Sequence, residues 1–197
     1  MSQEIEIEFK NMLTKHEFDH LVQVFQLNEQ DFLTQHNDYF DTSSFELKSK
    51  GAALRIREKE NRFVLTLKEP HTVGKLETHQ FLSKKDVQQF FQSRELDPGD
   101  VQQRLERLSI KPENLQHLGR LTTHRAEFPH EEGLFVLDHS CYLDTEDYEM
   151  EWEFNDHPTG QKRFESFLER YQIPKRPTQN KIMRFFLYKK SKEMRQD

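Results

Sequence analysis

Cysteine is nearly absent: Cys141 is the single one in 197 residues. That excludes an internal disulfide and a cysteine-rich zinc site. Glycine (6) and proline (7) are scarce and scattered, so no linker divides the chain, and one domain over 1–197 is expected. No apolar run approaches the ~20 residues of a membrane span. The start, Met1 to Lys10, has no apolar signal core, so a cytoplasmic protein is expected. Positive charge is in deficit, with 29 Lys and Arg against 35 Asp and Glu and a net of −6. A chain so balanced lacks the basic footprint of non-specific nucleic-acid binding. Hydrophobic residues are few at 34%, yet 17 Phe, 5 Tyr and one Trp supply the aromatic mass that disordered chains lack.

Periodicity supplies the elements. Glu4 to Lys10 alternates acid and apolar, which puts Ile5, Ile7 and Phe9 on one face of a strand. Thr14 and Glu17 form a capping box ahead of a helix whose stripe is Phe18, Leu21, Val22 and Phe25. Strands follow: one ending at Tyr39–Thr42, then Ala53–Arg57, Arg62–Lys68 and Leu76–Phe81. Ser83 with Asp86 starts a helix bearing Val87, Phe90 and Phe91. Asp97-Pro98 reads as the start of another, carrying Val101, Leu105 and Leu108. A turn around Leu115 and Leu118 leads to strands at 120–128, 134–138 and 147–154. Two helices close the chain, one with Phe164, Phe167, Leu168 and Tyr171, the other with Lys181, Ile182, Phe185 and Phe186. Seven or eight antiparallel strands with helices inserted between them make an α+β fold.

The charged faces of the strands carry the chemistry. Glu6, Glu8 and Lys10 share one face. So do Arg55 and Arg57, Thr66 and Lys68, and Glu149, Glu151 and Glu153. A half-buried sheet with a solvated face shows the same alternation on any one strand. Here it recurs on several strands and the charges segregate, bases on some and glutamates on the first and near-last. A solvated face interleaves opposite charges instead. If the sheet closes with these faces inward, carboxylates suit a hard cation such as magnesium or manganese. Arginine forks suit phosphate oxygens. A ligand that needs both is a metal-bound polyphosphate.

Glu6-Ile7-Glu8-Phe9-Lys10 resembles the ExExK signature of the CYTH domains, also called triphosphate tunnel metalloenzymes. The order of later segments extends the resemblance over nearly the whole chain. Tyr39-Phe40-Asp41-Thr42 is similar to the family's aromatic-Asp-Thr segment, and Leu54-Arg55-Ile56-Arg57 to its LRxR strand. Leu65-Thr66-Leu67-Lys68 resembles the lysine strand. Glu77 resembles an acid after the turn, Arg125 a later arginine, Asp138 a strand-ending aspartate, Glu149-Met150-Glu151 the C-terminal ExE strand and Lys181 the last lysine. Within the family the chain most resembles a bacterial triphosphatase group.

The resemblance implies an eight-stranded antiparallel closed barrel flanked by helices. It implies that Glu6, Glu8, Glu149 and Glu151, with Glu77, Asp138 and Glu153 as further acids, hold Mg2+ or Mn2+. Lys10, Arg55, Arg57, Lys68, Arg120, Arg125 and Lys181 would bind a small-molecule triphosphate, with Glu6, Glu8, Lys10, Arg57 and Lys68 the catalytic set. Two departures stand out. His79 replaces a second acid two residues after Glu77, and Arg120 has the opposite parity to Arg125, so both face the substrate only across a bulge. The expected reaction is hydrolysis of a phosphoanhydride bond with release of orthophosphate. A class IV adenylyl cyclase and a non-catalytic polyphosphate-binding module are the alternatives.

His16-Glu17-Phe18-Asp19-His20 fits the HExxH pattern of zinc proteases. The stripe defined by Phe18, Leu21, Val22 and Phe25 turns both histidines to solvent, and Glu17 serves the cap. Cys141 has no histidine partner in view and reads as structural. The alternation of Trp152 with glutamates places it on the apolar face of its strand.

Overall fold

The computed structural model describes residues 3–194. The ends of the expected 1–197 span, residues 1–2 and 195–197, lie outside the described residues. Eight strands form a closed barrel in the order β1-β5-β4-β3-β2-β6-β7-β8. They are β1 (Gln3–Leu13), β2 (Leu33–Thr42), β3 (Ala53–Lys59), β4 (Arg62–Pro70), β5 (Lys75–Leu82), β6 (Leu115–His130), β7 (Gly133–Tyr142) and β8 (Thr145–Phe154). Neighbours pair antiparallel. Strand β1 changes partner in mid-course: Gln3–Glu6 lies against β5 and Ile7–Leu13 against β8.

Two compact units make up the chain. The first holds the residues up to Glu6 and Gln35–Arg120; the second holds Ile7–Thr34 and the residues from Leu121 onward. Each has its own apolar core. In the first, Phe40, Leu54, Ile56, Leu65 and Leu67 from the strands bury against Leu47 of α2 (Glu46–Ser49), Phe90 of α3 (Lys84–Ser93), and Val101 and Leu105 of α4 (Asp100–Arg107). In the second, Phe135, Leu137, Tyr148, Met150, Trp152 and Phe154 pack with Phe18 and Leu21 of α1 (Lys15–Val24). Phe164, Phe167 and Leu168 of α5 (His157–Arg170) complete that core. The helix α6 (Lys181–Glu193) buries Phe185. Alternation thus sends the aromatic residues of β8 under helices and Glu149, Glu151 and Glu153 to the other face.

Local signals set most boundaries. Thr14 and Ser83 cap α1 and α3 with complete capping boxes, closed by Glu17 and Asp86. His16 and His20 are exposed, as the helical phase requires, and Glu17 carries the Arg176 guanidinium at 2.8 Å on both oxygens. Two expectations are corrected. The helix placed at Asp97-Pro98 begins at Asp100 after an extended Gly99. The Gln80 amide donates to the Asp97 carbonyl at 3.1 Å and lies where a Gly99 Cβ would sit, so tertiary contact holds 97–99 out of the helix. The turn expected around Leu115 and Leu118 is instead the start of the 16-residue β6, preceded by a 3-10 turn over Pro112–Asn114.

Asp41 ties the end of β2 to the backbone of α2. Its carboxylate accepts backbone N–H bonds from Thr42, Leu47 and Lys48 at 2.7–3.0 Å while 3% exposed. Asp41→Ala strips three donors of their acceptor. We expect a loss of about 1–3 kcal/mol in denaturant unfolding; an unchanged midpoint would show the donors find other partners. At Gly160, a Cβ would meet Phe9 at 2.5 Å and Phe154 at 2.8 Å. Gly160→Ala overpacks this contact and is expected to cost about 1–3 kcal/mol in the same assay.

Candidate active site

In the first unit the charged face of β3, β4 and β5 gathers Arg55, Lys68 and Glu77. Register puts Arg55 opposite Thr66 and Lys68 opposite Glu77. The Lys68 ammonium contacts both Glu6 and Glu77, and Arg55 reaches Glu77 at 3.9 Å. Burial opposes ionisation of Glu77, but Arg55 and Lys68 outweigh it and hold its carboxyl down to about 2. Arg57 donates to the Asn37 side chain at 3.0 Å, across the β2–β3 pairing. His79 sits with this group: Nε2 lies 3.1 Å from Glu4 and 3.6 Å from Glu77, and Nδ1 lies 3.0 Å from Thr66. The histidine that replaces the expected second acid therefore keeps company with acids.

Arg120 is corrected. It forks onto Asp38, with Nη2 to Oδ2 at 2.7 Å, and His117 joins Asp38 at 2.8 Å. Asp38 is registered with Ile56, on the face of β2 and β3 opposite to Asn37, Arg55 and Arg57. Parity puts Arg120 with the apolar side of the sheet, apart from the other bases.

In the second unit the charged face of β7 and β8 is denser. Asp138, registered with Glu149, and Glu151 are almost wholly buried. One oxygen from each lies within 4.8 Å of the others. The Lys181 ammonium stands among them at 2.8, 2.6 and 2.7 Å. Arg125 forks onto Asp138 at 2.7 and 2.6 Å and bonds Glu151 at 2.7 Å. Arg184 joins Glu149 at 2.9 Å and Asp147 at 2.8 Å. Lys10 pairs with Glu8 at 2.8 Å. Three cations of the chain, Lys181, Arg125 and Arg184, offset the mutual repulsion of these carboxylates.

The electrostatics follow from this arrangement. Burial resists ionisation of Glu151, yet Lys181 and Arg125 hold it well below the ordinary range; for Asp138 the same two cations lower it. Burial also disfavours the charged Lys181, and the three carboxylates override that and raise it. For Glu153 the nearby Arg125 is outweighed. Burial and then the Glu151 charge push it up to about 7. It lies outside the Asp138–Glu149–Glu151 group and is registered with Glu8 of β1.

A hard cation fits this donor set. It consists of carboxylate oxygens alone, and the buried Oε1 of Glu149 has no hydrogen-bond partner among the described residues. Arg184 was missed at the level of sequence, although its i+3 spacing from Lys181 puts both on one face of α6. Asn37 left no signal beyond the parity of β2.

The CYTH domain family matches residues 4–186, and the chain belongs to that family. It is 54% identical over 187 residues, 94% of this chain and 96% of the other, to the Bacillus subtilis (strain 168) protein named "Putative triphosphatase YjbK". A Bacillus halodurans structure described as a "putative adenylate cyclase" superposes with a TM-score of 0.92 at 45% identity, covering 94% of this chain and all of that one. The Hippeastrum protein HpAC1 shares the fold at a TM-score of 0.73 and 22% identity, over 92% of this chain and 95% of its own.

Two outcomes test these clusters. Lys181→Met leaves three buried carboxylates short of a cation and is expected to cost about 3–5 kcal/mol, read by denaturant unfolding; a neutral result would mean the acids take up protons freely. The second concerns Asp38, where burial opposes ionisation but His117 and Arg120 outweigh it and lower the carboxyl. Its folded value lies below the unfolded one near 3.9. Its contribution is thus complete above pH ~4 and is lost as pH falls through the folded value. Asp38→Asn should lower the melting temperature at neutral pH, and its gap to wild type should shrink below pH ~4. A gap that stays constant would exclude the ionised pair.

Proposed function

We propose that the protein is a divalent-metal-dependent triphosphatase that cleaves a phosphoanhydride bond of inorganic triphosphate or a nucleoside triphosphate and releases orthophosphate. The observation that carries this reading is the buried group of Asp138, Glu149 and Glu151. A plain anion binder has no use for three carboxylates sunk among its cations. The 54% identical relative named as a triphosphatase supports the same reaction.

The residues divide by chemistry. Arg55, Arg57 and Lys68 hold phosphate oxygens, Arg55 and Arg57 as forks and Lys68 as a point charge. Glu6 and Glu77 pair with Lys68 and aim it. Asp138, Glu149 and Glu151, with Glu8 on the neighbouring β1, hold magnesium or manganese. Bound there, the cation would neutralise phosphate charge and lower the pKa of an attacking water. Lys181 and Arg125 keep Asp138 and Glu151 ionised and hold the group in place. Lys10 balances Glu8. Phosphoryl transfer asks little covalent work of the protein, so positioning and charge carry the rate. The single cysteine fits a cytoplasmic setting.

A specific finding keeps the cyclase reading in the test: the 45% identical Bacillus halodurans structure bears that description. A cyclase must hold the ribose 3′ oxygen in line with the α-phosphorus, a geometric demand that hydrolysis does not make. The protein with magnesium or manganese is expected to release orthophosphate from inorganic triphosphate at least as fast as from ATP, without cyclic AMP. Arg57→Ala should slow both by roughly 100-fold, and Glu149→Gln with Glu151→Gln should remove the metal response. Cyclic AMP with matching pyrophosphate would make it a cyclase, and binding without any product would make it a binding module.

A further inference from the structure

Outside that group, the opposite face of β7 and β8 carries a second cluster with a different set of donors. His139 and Cys141 are two apart on β7 and so share a face, and Glu146 of β8 is registered with Cys141. The His139 Nε2 lies 2.8 Å from Glu146 Oε2 and 3.6 Å from Cys141 Sγ. One donor atom from each of the three falls within 4.8 Å of the others. The histidine partner that the sequence did not reveal for Cys141 is therefore present.

The neighbours orient these donors. Tyr148, registered with His139, stacks on its ring at 4.7 Å and 13°. The Tyr148 hydroxyl donates to Glu146 Oε1 at 3.0 Å, which leaves Oε2 turned to the imidazole. Phe18 of α1 packs on Tyr148 at 5.0 Å and supports it from below. Side-chain exposures of 27% for His139 and 53% for Glu146 leave a path from solvent.

We propose that His139, Cys141 and Glu146 form a binding site for a zinc-class divalent cation, distinct from the oxygen-only group of Asp138, Glu149 and Glu151. Tetrahedral zinc, with bonds of about 2.3 Å to sulfur and about 2.1 Å to nitrogen and oxygen, sets sulfur and nitrogen about 3.6 Å apart and nitrogen and oxygen about 3.3 Å apart. The first distance is already met. The second requires the His139–Glu146 hydrogen bond to open by about half an ångström, as the metal takes the place of its proton. Binding uses Cys141 as thiolate and His139 as neutral imidazole protonated at Nδ1, so the thiol proton passes to solvent and the proton of the His139–Glu146 hydrogen bond moves to Nδ1 or to solvent. Water completes the coordination. Thiolate and imidazole select zinc or cobalt over magnesium, which prefers oxygen alone. The two sites on β7 and β8 are thus separated by donor chemistry as well as by face.

Cobalt titration of metal-stripped protein, with magnesium in excess, tests the assignment. A thiolate-to-cobalt charge-transfer band is expected at one cobalt per chain, displaced by zinc. The carboxylate group cannot produce such a band. Cys141→Ser should abolish it, and His139→Gln and Glu146→Gln should each weaken cobalt binding. Tyr148→Phe, which only releases Glu146, should weaken it roughly tenfold. In the unaltered protein, zinc should protect Cys141 from a thiol reagent, a readout that needs no variant to fold. Absence of the band together with unprotected Cys141, or a band of equal affinity in His139→Gln and Glu146→Gln, would overturn the site and leave the cluster as a surface hydrogen-bond network.

Discussion

Burying ionised carboxylates is the constraint around which the second unit is arranged. An acid sunk in a protein must find a cation or take up a proton. Asp138, Glu149 and Glu151 find Lys181, Arg125 and Arg184, delivered by α6 and β6. That requirement explains the run of the chain after β8. The capped start of α6 at Asn180 places Lys181 at the first helical position, against the acids. Arg184 follows one turn later. The helix is thus anchored by charge at its start and by Phe185 beyond it.

The first unit meets the same constraint with a different balance. Glu6 and Glu77 share Lys68, and Arg55 adds a second cation nearby, so bases lead there while acids are denser in the second unit. Asp38, Arg120 and His117 satisfy one another on the other face of that sheet. Their chemistry is as charged as that of the site, and their location alone separates them from it. A charged residue on these strands therefore has no fixed meaning until its face is known.

The face opposite Glu149, Glu151 and Glu153 serves two ends. Over most of its length it is core, with Met150, Trp152 and Phe154 buried under α5. Toward the β7–β8 turn the aromatic cover gives way to His139, Cys141 and Glu146, braced by Tyr148 and Phe18. A single pair of strands thus presents hard oxygen donors on one side and nitrogen and sulfur donors on the other.

Much of this was legible in the sequence because period-two alternation is a local property. Each strand's own residues declare two faces, so Glu149 and Glu151 could be assigned together and Trp152 assigned to the core without coordinates. Capping boxes at Thr14 and Ser83 were legible for the same reason. The start of α4 was not, since Gln80, distant in sequence, occupies the space beside Gly99. Nor was the pairing of cations with acids: Lys181 and Arg184 come from a helix more than thirty residues beyond Asp147 and Glu149 for some contacts. Strand parity sorts side chains to a face, but only packing decides which distant charge meets them. That is why Arg120 joined Asp38 and why Cys141 acquired His139 and Glu146 as neighbours.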